Sequence, residues 1–350
     1  MAEFATVVLS SRSLPMRNVH PIYVSVAVLL MLIPRPVSAD PLSELSSFSV
    51  FNKIDLTQLA KTDVNTAHGP PMNNSRYLSV QSCYVVSGTP GQHLEALRKW
   101  NPSAHRELKV FMHADVPGSP TEAAFAKIKN APDNAAMRAF VAATNKMSAE
   151  LQLSREEAAR WKPGDGTLAG AVGDFWINVL TGRARAFASG GTSGLAPYDH
   201  TGNAVRAGEE LNGLLREQGK IRKQFAGLLD GTGIGRGSGS LKPELYWEML
   251  NVEDMGVASL GAFYGRASGG GAQAADVFYY ASGSYYATLA LYQMWPVEVN
   301  GKASTLVWRG DMISSASLAT LRGVEKLGSE SAMMKDVAKS ITLFRKDSGR

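Results

Sequence analysis

The stretch from Asp276 to Ile313, DVFYYASGSYYATLALYQMWPVEVNGKASTLVWRGDMI, restricts what this chain can fold into more than any other. β-Branched and aromatic residues flank Asn300-Gly301, a pair suited to the two positive-φ positions of a type I′ turn, so the segment predicts a long antiparallel hairpin. A two-residue loop pairs Val299 with Lys302. Counting outward sets Trp295 opposite Leu306, Gln293 opposite Trp308 and Leu289 opposite Met312 on one mostly apolar face. The other face pairs Met294 with Val307, Tyr292 with Arg309 and Ala290 with Asp311, and carries the polar groups. Pro296, opposite Thr305, occupies a non-hydrogen-bonded site, so its outer side is expected at a sheet edge or a bulge.

Residues 1–39 read as a signal peptide. From Met16, a second candidate start, one Arg precedes an apolar run from Ile22 to Ile33, a proline break, and small residues ending at Ala39, the expected cleavage site. About twelve apolar residues are too few to span ~30 Å of hydrocarbon as a helix, so secretion or a periplasmic location is expected rather than an integral membrane span. Removing three Arg and one Glu with this segment leaves 33 basic and 30 acidic side chains. Near balance, and with no basic run longer than Lys220-Ile-Arg-Lys223, the chain has no nucleic-acid footprint. Cys83 is the single cysteine, which excludes an intrachain disulfide; among Tyr84, Val85 and Val86 it is expected as a small packed residue of a strand.

The remainder divides at changes of pattern. A β-rich part spans 40–118, with strands expected over Arg76–Ser87 and Leu108–Val116 and a short helix over Gln92–Trp100 between them. A helical part spans 119–230. Ser119-Pro120-Thr121-Glu122 and Ser154-Arg155-Glu156-Glu157 read as capping boxes, the second opening a helix that runs to Pro163-Gly164. A helix with Met137, Phe140 and Val141 on one face starts at Asp133. The clearest amphipathic helix carries Leu168, Val172, Phe175, Trp176, Val179, Leu180 and Phe187 and stops at Gly190-Gly191; another runs from Leu211 to Leu229. The glycine-rich run 231–240 reads as a flexible linker, since it follows a helix and lacks the Lys-Ser/Thr of a phosphate loop. Region 241–350 then gives a helix over Leu241–Leu250, a strand over Met255–Tyr264, the hairpin, and a closing helix over Ser317–Lys346. That last helix packs Met334, Val337, Ile341 and Phe344 on the sheet and points Lys335, Lys339, Arg345 and Lys346 elsewhere.

Chemical signatures are sparse. The histidines after residue 39 fall in no H-x-x-x-H or H-E-x-x-H spacing, and neither G-x-S-x-G nor S-x-x-K occurs, so no metal and no cofactor are expected. Glu244 and Glu248, one turn apart on the expected helix and flanking Tyr246 and Trp247, are the candidate carboxylates of a glycan hydrolase, although one helix face sets both on the same side of a scissile bond. The aromatic cluster gives the candidate ligand-binding residues Tyr280, Tyr286, Tyr292, Arg309 and Asp311, with Tyr292-Arg309 also expected as a cation–π pair. The fold class expected is α+β: an antiparallel sheet with a helical insertion in the middle of the chain and a C-terminal helix packed on the sheet, residues 241–350 sharing a core with 76–118. The function expected is non-catalytic: an exported protein binding an amphipathic or apolar small molecule, or an envelope protein, through its aromatic sheet. A cell-envelope glycan hydrolase is the alternative.

Overall fold

In the computed structural model, which describes residues 40–349 apart from 62–63, 163 and 235–238, the predicted hairpin lies within one eight-stranded antiparallel sheet. In chain order the strands are β1 (Asn65–His68), β2 (Tyr77–Ser87), β3 (Val110–Val116), β4 (Glu244–Val252), β5 (Met255–Ser268), β6 (Gly271–Ala281), β7 (Ala287–Val299) and β8 (Lys302–Ser314). In space they run β1-β2-β8-β7-β6-β5-β4-β3. Strands β4 to β8 form a continuous meander, and the two strand groups of the β-rich part close it on either side.

The hairpin has the register the sequence predicts. Val299 faces Lys302, Trp295 faces Leu306, Gln293 faces Trp308 and Tyr292 faces Arg309, while Asn300 and Gly301 have φ of 52° and 71°. Pro296 faces Thr305, and pairing of β6 with β7 reaches no further than Met294, so the proline's outer side is unpaired. Both tryptophans lie on one face. Cys83 is fully buried on β2, where burial pushes its thiol up to about 12 and leaves it a packing residue.

Among the described residues ten α-helices sit before, between and after the strands: α1 (Pro41–Phe48), α2 (Leu56–Lys61), α3 (Pro90–Lys99), α4 (Ala135–Lys146), α5 (Arg155–Ala158), α6 (Ala171–Gly190), α7 (Ala207–Glu217), α8 (Gly219–Gln224), α9 (Ala226–Thr232) and α10 (Val324–Asp347). The face bearing Trp247, Leu260, Val277, Leu289, Trp295 and Trp308 packs against α1 and the helical insertion, whose Phe140, Trp176, Leu211, Leu214 and Phe225 join the same core. The opposite face, with Val80, Tyr84, Tyr292 and Val307, packs on Leu94 of α3 and on Val337 and Ile341 of α10. A bulge where Leu260 and Gly261 of β5 oppose Tyr280 and Phe278 of β6 leaves Tyr279 as the extra residue. Tyr279 and Tyr280 consequently both join the core under the helical insertion, and Tyr279 stacks on Phe187 of α6 at 3.7 Å.

Several local expectations are corrected. Leu241–Leu250 is not a helix. Its residues 244 onward are β4, which pairs with β5 along its whole length and with β3, turning at Glu253-Asp254 with φ of 50° and 64°. Both faces of β4 are covered, so Leu245, Trp247 and Met249 alternate with Tyr246 and Glu248 and the polar alternation of a half-exposed strand is blurred. The box at Ser119 does not form: Thr121 makes no capping bond, and only short 3-10 turns at Glu122–Ala124 and Ala126–Asn130 follow, pinned by buried Phe125 and Ile128. The box at Ser154 does form, but α5 ends at Ala158. The helix expected over Leu211–Leu229 is three short ones, broken at Gln218 and Phe225. Of the glycine run, Gly231 and Thr232 complete α9, and the Leu241 N–H donates to Gly231 O at 2.8 Å; residues 235–238 lie outside the described residues. Arg345 does not point outward: it is 9% exposed and donates to Leu59 O at 3.5 Å. The expected signal peptide and its cleavage site at Ala39 also lie outside the described residues.

The turn is the element most open to test. Valine at Gly301 has to adopt φ near 71°, a β-branched residue in the left-handed region. The Gly301→Val protein should be about 1–2 kcal/mol less stable to urea than the parent. Unaltered stability would show that the hairpin is not closed by this turn.

Candidate functional site

The candidate residues fall into two groups on opposite faces of the sheet. On the face toward α3 and α10, Arg309 lies over the Tyr292 ring at 5.2 Å, and its Nε and Nη2 donate to Asp311 at 2.9 and 2.6 Å. Residues i and i+2 of a strand share a face, and Tyr292 is the direct cross-strand partner of Arg309, so local geometry alone assembles this trio. Burial works against the Arg309 charge, but Asp311 and the Tyr292 ring more than offset it and keep the guanidinium protonated.

Further along the same face lie two more acids, Glu248, which is buried, and Asp276, which is part-buried. Glu248 of β4, 5% exposed, accepts from Nδ1 of His113, its direct partner on β3, at 2.8 Å. Burial depresses the His113 pKa, and the hydrogen bond and charge of Glu248 raise it further than burial lowers it. The Tyr246 ring tilts against His113 at 5.2 Å, and its hydroxyl donates to Asp276 Oδ1 at 2.6 Å. The ring lies directly over Gly261, where any side chain would collide with it, so the glycine opens the path from Tyr246 to Asp276. Burial pushes Asp276 up to about 6; the Tyr246 hydroxyl, Arg309 and His113 oppose this and Glu248 adds to it.

These positions bear on the carboxylate pair. Glu248 is buried against His113, whereas Glu244 is half-exposed at its side chain and pairs with Arg98 Nε at 3.0 Å. Four residues along a strand separate their backbones by about 13 Å. Glycoside hydrolysis sets its two carboxyl groups on either side of the bond, whereas these two share one face of β4 and each is paired with a different basic side chain.

The second group lies on the face toward the helical insertion and ends in a cleft. Tyr280 is fully buried and donates to Gln152 O at 3.1 Å. Over its ring, at 4.6 Å, sits Arg183 of α6, which is 5.2 Å from the Tyr198 ring and forms a bidentate pair with Glu157 at 2.6 and 2.7 Å. Tyr198 stacks on Tyr286 at 6.0 Å, its hydroxyl donating to Tyr286 O, and Arg76 covers Tyr286 at 5.6 Å. Arg76 in turn donates to buried Glu210 at 2.7 Å. Two guanidinium groups and three rings therefore form one row from the core outward. Both arginines are matched by a carboxylate, as the burial of Arg183 requires.

Tyr286 and Tyr198 line a cleft of about 360 Å³ at the end of the sheet. Its apolar surface comes from Leu151, Val205, Val252 and Met255, and its polar surface from His200, Asn203 and the loop 282–284 between β6 and β7. The ligand residues expected from the sequence are thus divided: Tyr286 lines the cleft, Tyr280 stands behind it, and Tyr292, Arg309 and Asp311 are on the other side of the sheet. The hairpin itself packs closely, with Phe48 and Phe225 at 4.9 and 5.6 Å from Trp308. Sequence reasoning missed Arg183, Tyr198 and His200. Arg183 had a signal: it falls between Leu180 and Phe187 on the apolar stripe of α6, where a charge needs a buried partner.

Among the described residues no helix is long and apolar enough to cross a membrane, and no group of three or more His, Cys, Asp or Glu side chains is placed to hold a metal ion. Comparison with protein-family models, with curated proteins and with solved structures finds no match.

The raised pKa of Asp276 fixes a sign. A carboxyl moved from its ordinary 3.8 to about 6 holds its proton in the folded state where the unfolded chain has lost it, so its stability contribution is full below about 4 and is lost as pH rises through 6. Urea titrations should show the parent losing about 2–3 kcal/mol over that window, and Asp276→Asn removing most of the slope. An equal slope in both proteins would assign the dependence elsewhere.

Proposed function

We infer that the chain is an exported protein that binds an amphipathic small molecule in the cleft beside Tyr286. The observation that carries this reading is the cleft itself: about 360 Å³, within the range of small-molecule sites, with apolar and polar groups both lining it. A built wall strengthens it. The stack running from Tyr280 through Arg183 and Tyr198 to Tyr286 fixes one side of the cleft before any ligand arrives, which reduces the ordering entropy of binding. Export rests on residues 16–39, with their charged start, apolar run and small-residue end. The close packing under the tryptophan hairpin moves the proposed ligand away from the inner sheet surface to the sheet's end.

N-Phenyl-1-naphthylamine, a neutral fluorophore that brightens in apolar sites, is a suitable probe. The parent protein should bind it saturably at one site, and Met255→Trp, which places an indole in the cleft, should weaken binding at least about tenfold. Unchanged affinity in a folded Met255→Trp protein, or no saturable binding to the parent, counts against the reading.

A further inference from the structure

We propose that the cleft selects ligands carrying a positive charge, of the alkyl- or arylammonium class, over anionic ones. This rests on the cleft being a ligand site and adds the sign of the ligand's charge. Two of the lining residues carry acidic side chains: Glu150, on the segment after α4, and Glu253, in the β4–β5 turn. Both are exposed, and Asp254 beside Glu253 adds a second acid to that turn. The nearby arginines do not cancel this charge. Arg183 is committed to Glu157 and Arg76 to Glu210, so each leaves the cleft as half of a neutral pair.

Three of the lining groups have hydrogen-bonding capacity of the same polarity. Tyr198 spends its hydroxyl proton on Tyr286 O, and Thr201 spends its own on Ala149 O at 3.2 Å. His200 faces the carbonyl of Ser148 through Nε2 at 3.2 Å, which requires Nε2–H to donate and leaves Nδ1 as the acceptor of the neutral ring. What these three groups have left for a ligand is lone pairs. An ammonium head supplies N–H donors and a positive charge to such a lining, whereas a carboxylate head brings more acceptors and like charge. Met255, Val205 and Leu151 then take the hydrocarbon body.

A matched pair of probes separates charge from shape. 4-Phenylbutylammonium and 4-phenylbutyrate have similar bodies and opposite heads, and their binding to the full-length protein is read by calorimetry or ligand-observed NMR at low salt. The ammonium should bind on the order of tenfold more tightly than the carboxylate, the size expected of two partly solvated carboxylates. The double variant Glu150→Gln, Glu253→Gln, folded as the parent by circular dichroism, should shrink the ratio to about twofold or less. A carboxylate that binds as well as the ammonium, or a ratio unchanged in the double variant, overturns the charge selection and leaves the cleft reading standing. Failure of all three probes to bind the parent overturns both.

Discussion

The contact on which the rest of the structure depends is the packing of Trp308 and Trp295 onto residues from distant parts of the chain. Phe48 of α1 meets both indoles, and Phe225 meets Trp308, so one patch of the hairpin gathers the start of the described chain and the end of the helical insertion. The patch is specific as well as apolar. Trp308 Nε1 donates to Gln81 of β2 at 3.0 Å, Trp295 Nε1 to Glu44 of α1 at 2.9 Å, and Gln81 also accepts from the Val50 N–H at 3.0 Å. Each indole buries a large apolar body and directs its single donor to a partner, which fixes orientation where aliphatic packing alone permits sliding. Gly310 supplies the space across which the Trp308 ring lies.

With that core closed, the two sheet faces take different work. On the face under α3 and α10, Glu248, Asp276 and Asp311 are each given a donor of its own: His113, Tyr246 and Arg309. Such pairs contribute little net stability compared with apolar packing, yet removing one partner is costly, so they fix strand register across β3 to β8 more than they strengthen the sheet. On the opposite face Arg183 and Arg76 are interleaved with tyrosines, and the row leads from core to surface. It ties α6, the Tyr198 loop and the β6–β7 loop into one wall, and the cleft exists because those segments meet at the sheet's end without filling the space between them.

The candidate site was legible in the sequence only in part. Tyr292 with Arg309, and Arg309 with Asp311, follow from a hairpin register that a two-residue turn sets, so their grouping needed nothing beyond counting. Tyr286 reached the cleft for reasons no local pattern contains: Tyr198 lies 88 positions away and Arg76 farther still, and the loop that carries Tyr198 has no regular period to read. Tyr280 was legible as aromatic but not as facing the helices, because the bulge at Tyr279 shifts the alternation by one residue. Glu244 and Glu248 show the opposite case. Their spacing fits one turn of helix, and pairing with β3 and β5 overrides it.

What the sequence determined by itself is whatever short-range stereochemistry controls: the Asn300-Gly301 turn, the strand alternation that follows from it, the amphipathic stripe of α6 and the cap at Ser154. These depend on φ preferences and side-chain period, which act within a few residues. Tertiary structure alone decided that Leu245–Leu250 is a strand between two others, that Arg183 finds Glu157, and that a cleft opens beside Tyr286 instead of beneath the tryptophans. Each of those outcomes compares the burial of one segment against alternatives supplied by another, and such a comparison has no value until the partners are in place.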